Sequence, residues 1–60
     1  MKKYIILDTE ETRDFCKSLI GSTCIKLGEE INNSTGTIFW RMETEDGELV
    51  FLESELKEVL

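Results

Sequence analysis

Ile38-Phe39-Trp40-Arg41-Met42-Glu43-Thr44-Glu45-Asp46-Gly47-Glu48-Leu49-Val50-Phe51-Leu52 holds two β-branched and aromatic runs joined by a polar stretch that contains Asp-Gly. In the first run Ile38, Trp40 and Met42 alternate with Phe39 and Arg41, the period of a strand with one buried face. Asp46-Gly47 suits the positive-φ positions of a tight hairpin turn, and Leu49-Val50-Phe51-Leu52 reads as the returning strand. The stretch therefore predicts an antiparallel hairpin, with Trp40 facing a core and Phe39 facing away from it.

Upstream, Thr23-Cys24-Ile25-Lys26-Leu27 also alternates, which predicts a half-buried strand with Ile25 and Leu27 inward. Gly28 to Gly36, with two glycines, two asparagines and a lone Ile31, reads as a surface loop. Lys3-Tyr4-Ile5-Ile6-Leu7 is apolar without a break and predicts a first strand buried on both faces. After it, Asp8 or Thr9 can cap a helix whose first turn holds Glu10 and Glu11. Phe15, Cys16, Leu19 and Ile20 then follow at helical spacing up to Gly21. A helix of about 10 to 12 residues is expected there. Downstream, Glu53-Ser54-Glu55-Leu56 suits one helical or 3₁₀ turn, and Lys57-Glu58-Val59-Leu60 reads as a last strand or a helical continuation. The expected core is Ile5, Leu7, Phe15, Leu19, Ile25, Leu27, Ile38, Trp40, Val50 and Leu52.

The chain has 60 residues, with 13 Asp plus Glu against 7 Lys plus Arg, a net charge of -6, no His and no Pro. That length predicts one domain spanning 1-60, with only a few kcal/mol of net stability. No apolar run approaches the roughly 20 residues of a membrane span, and the apolar start is shorter than the roughly 7 to 15 residues of a secretory signal's apolar core, so a cytoplasmic protein is expected. Cys16 and Cys24 lack redox or metal-site spacing and read as packed free thiols, with a disulfide between them as the alternative.

The strand, excursion, strand, loop, strand, hairpin, strand, short turn and closing strand resemble the element order of the Src-homology-3-like family, whose barrels are about this long. Trp40 to Leu56 looks like that family's aromatic strand, Gly-Glu distal turn (Gly47-Glu48), apolar fourth strand and closing turn. The resemblance implies an all-β barrel of about five strands, with a helix or long loop inserted after the first. An α+β fold, one helix on a three- or four-stranded antiparallel sheet, is the alternative. Eukaryotic members bind proline-rich peptides with a ladder of aromatics. Here Tyr4-Ile5-Ile6-Leu7 replaces the first-strand aromatic motif, Ile38 stands where a docking tryptophan belongs, and Glu53 and Leu56 replace Pro and Tyr. The resemblance thus implies a scaffold rather than a proline-peptide groove.

Acid-base catalysis needs a group titrating near neutrality, an activated nucleophile or a metal in a cleft. The acids Glu10-Glu11, Glu29-Glu30, Glu43-Glu45-Asp46 and Glu53-Glu55 fall in expected turns, helix starts and solvent-facing positions, and Cys16 has no His to activate it. No enzymatic activity, cofactor or metal is expected. Residues 31 to 60 hold seven acids and two bases, a balance that repels nucleic acid and attracts a basic protein surface. An RNA-binding barrel would require Lys2, Lys3, Lys26 and Arg41 on one surface.

Two functions follow. The first is a protein-binding module anchored by exposed apolar residues, with Tyr4, Phe39, Phe51 and Ile31 as candidates, Arg41 beside Phe39, and acidic steering. The second is an inhibitor presenting Glu43, Glu45, Asp46, Glu48, Glu53 and Glu55 to the basic groove of a nucleic-acid enzyme, a strategy that resembles small phage or mobile-element proteins. A homodimer through an open strand edge is compatible with both.

Overall fold

The computed structural model describes residues 2–60. Five strands, β1 (Lys3–Ile6), β2 (Thr23–Ile31), β3 (Ile38–Thr44), β4 (Gly47–Leu52) and β5 (Leu56–Glu58), form one open antiparallel sheet in the order β4-β3-β2-β1-β5. A short helix α1 (Glu10–Phe15) and a 3₁₀ turn (Lys17–Leu19) lie between β1 and β2, and a second 3₁₀ turn (Glu53–Glu55) joins β4 to β5. The architecture is mostly β, and an open sheet with one short helix is compatible with either expected class.

The hairpin at 38–52 forms, but its turn differs in detail. The loop is Glu45-Asp46, Thr44 pairs with Gly47, and only Gly47 takes a positive φ, at 101°. Thr44 Oγ1 braces the turn, accepting from the Asp46 N–H at 3.1 Å and donating to the Gly47 carbonyl at 2.9 Å. β2 runs on through Ile31, so Gly28 to Ile31 are strand rather than loop. The connection to β3 is tightened by Asn32, whose Oδ1 accepts from the Ser34 N–H at 2.9 Å.

The expected long helix is shorter, and the chain path explains why. Ile6 donates to the Ser22 carbonyl and accepts from the Gly21 N–H, so everything between Leu7 and Ile20 must return to the strand end it left. A straight 12-residue helix would instead carry the chain about 18 Å away. Thr9 and Thr12 cap α1 reciprocally: Thr9 Oγ1 accepts from the Thr12 N–H and Thr12 Oγ1 from the Thr9 N–H. Thr12 Oγ1 also donates to the Leu7 carbonyl at 2.7 Å, which fits its complete burial. The chain then breaks at Cys16, and the following 3₁₀ turn lowers Leu19 into the core.

The core comprises Tyr4, Ile6, Cys16, Leu19, Cys24, Met42, Phe51 and Leu56, with Trp40 and Leu49 packed against it. Of the expected core only Leu19 is fully buried. Ile5, Leu7, Ile25 and Leu52 are half-buried, while Phe15, Leu27, Ile38 and Val50 are exposed. In β1, β2 and β4 the inward set is offset by one residue, which moves every side chain to the other face. Pairing imposes that offset: Tyr4 faces Cys24, Ile6 faces Leu56 and Phe51 faces Trp40, all on the side that α1 and its 3₁₀ turn cover.

Two features complete this side. Tyr4 meets Trp40 edge-on, with ring centroids 5.3 Å apart. A bulge at Leu27 breaks the β2–β3 register, so Lys26 lies opposite Met42 and Glu29 opposite Trp40 on one face. Lys26 places its ammonium 3.7 Å from the Trp40 ring centroid and 2.9 Å from Glu29 Oε2, and so covers the open end of the core.

Candidate protein-binding face

Because α1 and its 3₁₀ turn pack on one side of the sheet, the other side has no layer over it among the described residues. Phe39, Arg41 and Glu43 run along β3 at its centre. Phe39 lies between Glu30 and Leu52, Arg41 between Gly28 and Val50, and Glu43 between Ile25 and Glu48. Val50 remains 45% exposed, and Phe39, Leu52, Ile25 and Ile5 are half-buried.

Arg41 organises the polar part of this face. Its Nη1 lies 3.1 Å from Glu48 Oε1 and its Nε 3.5 Å from Glu30 Oε1, bridging β4 to β2 across β3. The guanidinium can cross β2 because residue 28 is glycine: a Cβ there would meet Nη2 at 2.6 Å. Both ion pairs are largely solvated, so they orient the side chain more than they stabilise the fold. Glu43 and Glu48 stand directly opposite each other, a repulsive pairing that Arg41 relieves by engaging Glu48.

The expected partner-binding residues divide as follows. Phe39, Arg41, Glu43 and Glu48 come together on this face, Glu45 and Asp46 form the exposed hairpin tip, and Glu53 lies exposed just past β4. Phe51 is corrected: only 1% exposed, it packs between Trp40 and Phe15 on the covered side and is no surface anchor. Tyr4 is likewise buried. Glu55 is not a presented acid, since it is 3% exposed with Oε1 accepting from the Leu52 N–H at 2.7 Å. Ile31 is exposed, but beside Ile38 on the opposite face. Glu30, Val50 and Leu52 belong to the uncovered face and were not among the expected site residues. The signal for Glu30 is the length of β2, and for Val50 and Leu52 the pairing register of the hairpin.

Lys26 and Arg41 occupy opposite faces, and Lys2 sits 3.8 Å from Glu58, so the basic residues do not form one patch. Cys16 and Cys24 are both buried and unpaired. Burial raises the Cys16 thiol pKa, with the Glu55 carboxylate adding to the effect, and burial raises that of Cys24. Both are thereby weakened as nucleophiles at neutral pH. No helix is long and apolar enough to cross a membrane among the described residues. Comparison with protein families, curated proteins and solved structures finds no match to this chain.

Proposed function

We propose that this chain is a non-enzymatic protein-binding module that engages a basic protein through the uncovered face of its sheet. On this reading the sheet is a Src-homology-3-like scaffold, with α1 and its 3₁₀ turn as the insertion after the first strand. The observation that carries the proposal is one-sided covering. The helical segment shields Tyr4, Ile6, Met42 and Phe51, while Phe39 and Val50 on the other side stay accessible. Carboxylates of Glu30, Glu43 and Glu48 flank those apolar residues. A half-apolar face with an acidic border suits a partner patch that is apolar at its centre and basic at its rim.

The test is binding by the full chain and by two classes of variant across a salt series. Phe39→Ala with Val50→Asp removes the apolar anchor, whereas Glu43→Lys with Glu48→Lys reverses the border. A partner captured from the native host that is lost with the first pair, and retained with Lys17→Glu on the covered side, supports the reading. Equal retention by all variants overturns it.

The nucleic-acid-mimic reading keeps one specific support. Glu43, Glu48, Glu45 and Asp46 gather at the hairpin end of the sheet. It predicts that the charge-reversed pair abolishes binding and that affinity falls steeply with ionic strength, while the anchor variant binds normally.

A further inference from the structure

β4 is an edge strand, with β3 on one side only. Along an antiparallel ladder, residues alternate between pairs that exchange hydrogen bonds and pairs that do not. Thr44 and Gly47 close the hairpin, so Leu49 and Phe51 share their phase and direct peptide groups toward β3. Glu48, Val50 and Leu52 then direct theirs away from the sheet. Leu52 marks this phase independently, because its N–H donates to Glu55 Oε1 rather than to β3. Glu55, buried under the end of the strand, is thus a fixed stop.

Between that stop and the hairpin turn, the outward peptide groups of Glu48 and Val50 have no hydrogen-bond partner among the described residues. Of the usual protections, Gly47–Leu52 has no Lys, no Pro and no bulge, and its one charged side chain, Glu48, repels acidic strands but not basic ones. On one side of it stand Val50 and the facing carboxylates Glu43 and Glu48. On the other, the exposed Phe15 ring lies 5.6 Å from Phe51. Glu43 has no ion-pair partner among the described residues, and Glu45 and Asp46 adjoin the start of the strand.

We propose that the β4 edge at Glu48–Val50 receives an extended, basic segment of the partner protein as a sixth strand. The inference rests on the protein-binding function proposed above and supplies its mode. Main-chain pairing with Glu48 and Val50 gives affinity. Alternate Lys or Arg side chains on the incoming strand lie on the face of Glu48, Glu43 and Val50, with the apolar ones between them on the other face, over Phe15. A second copy of this chain is the poorer occupant, since it adds a net charge of -6 and its own Glu43 and Glu48 to the same seam.

The experiment uses the full chain and capped peptides of about six residues, the length of a common strand. One peptide alternates Lys and Val, and a second replaces Lys by Glu. Two further versions of the first carry N-methyl groups on one or the other alternate set of amides. Hydrogen exchange of the Glu48 and Val50 amides is read by NMR. Saturation with the Lys-Val peptide should slow both amides by about tenfold or more. The Glu-Val peptide should give no protection, and only one of the two N-methylated sets should bind.

Binding that shifts Phe39 and Arg41 without protecting the Glu48 and Val50 amides overturns strand addition and leaves the face-binding function standing. Protection that appears without peptide as protein concentration rises assigns the edge to a second copy and overturns the proposal. Failure of the Lys-Val peptide to bind, or equal binding of the Lys-Val and Glu-Val peptides, overturns it as well.

Discussion

The guanidinium of Arg41 lies over the backbone of Gly28, so close that a Cβ at residue 28 would fall 2.6 Å from Nη2. One missing methyl group on β2 therefore sets the direction of the cation at the centre of the uncovered face. Gly28→Ala should leave stability within about 1 kcal/mol of the parent, because the atom it meets is the mobile end of a side chain. It should nonetheless displace the guanidinium from Glu30 and Glu48. Chemical denaturation checks the first expectation, and the Arg41 Nε resonance checks the second.

Adjacent residues on β4 should respond very unequally to truncation. Phe51→Ala empties the core between Trp40 and Phe15 and should cost about 3 to 5 kcal/mol, enough to unfold a domain of this size. Val50→Ala acts on an exposed side chain and should cost about 0.5 kcal/mol. Urea unfolding of the two variants decides whether the face assignment of β4 is right, and the reverse ranking would refute it.

The Glu55 carboxylate holds the Leu52 N–H at 2.7 Å and ends β4. Glu55→Ala should cost about 1 to 2 kcal/mol through the lost cap, and Glu55→Gln, which keeps an acceptor, should cost less. In the alanine variant the Leu52 amide should exchange faster while the β1–β2 amides keep their relative order of protection.

The thiols give a pH signature. Burial, aided at Cys16 by Glu55, raises their folded pKa above the ordinary 9.0. As pH climbs past that value the unfolded chain loses the thiol protons while the folded chain keeps them, so stability is full below it and falls above it. Melting temperature should therefore drop between pH 8 and about 10.5, and Cys16→Ala with Cys24→Ala should flatten the drop. Alkylation of the native protein at pH 8 should be slower than that of the unfolded chain; equal rates would contradict burial of both sulfurs.

Lys26 covers one face of the half-buried Trp40 ring. Lys26→Ala should cost about 0.5 to 1 kcal/mol and shift the indole emission to the red, as water reaches the ring that the lysine stem now shields. An unchanged spectrum would place Lys26 elsewhere.

Much of the local structure is readable in the residues. Thr9 caps α1 with Glu10 and Glu11 in its first turn, the hairpin turns near Asp46-Gly47, and a single 3₁₀ turn precedes the last strand. The face of Phe51 was readable too: a two-residue hairpin loop places Phe51 opposite Trp40, and opposite residues share a face. The continuous Leu49-Val50-Phe51-Leu52 run concealed this, because apolar side chains at both parities satisfy either choice. β1 posed the same ambiguity with Tyr4-Ile5-Ile6-Leu7. Within the candidate site, Phe39, Arg41, Glu43 and Glu48 follow from alternation in β3 and β4. Glu30 does not, because a polar segment with glycine reads as loop until its partner strand is known.

The amino-acid sequence alone determined the strand-forming segments, the turns between them, the acidic balance and the alternation that separates Trp40 from Phe39, since these depend on residues close along the chain. Tertiary structure decided which parity of β1, β2 and β4 meets the helical segment, where the bulge at Leu27 breaks the register, and that Glu55 closes one end of an otherwise open edge. Those choices depend on which strand lies beside which and on what covers each face. Only assembly of the whole sheet settles that.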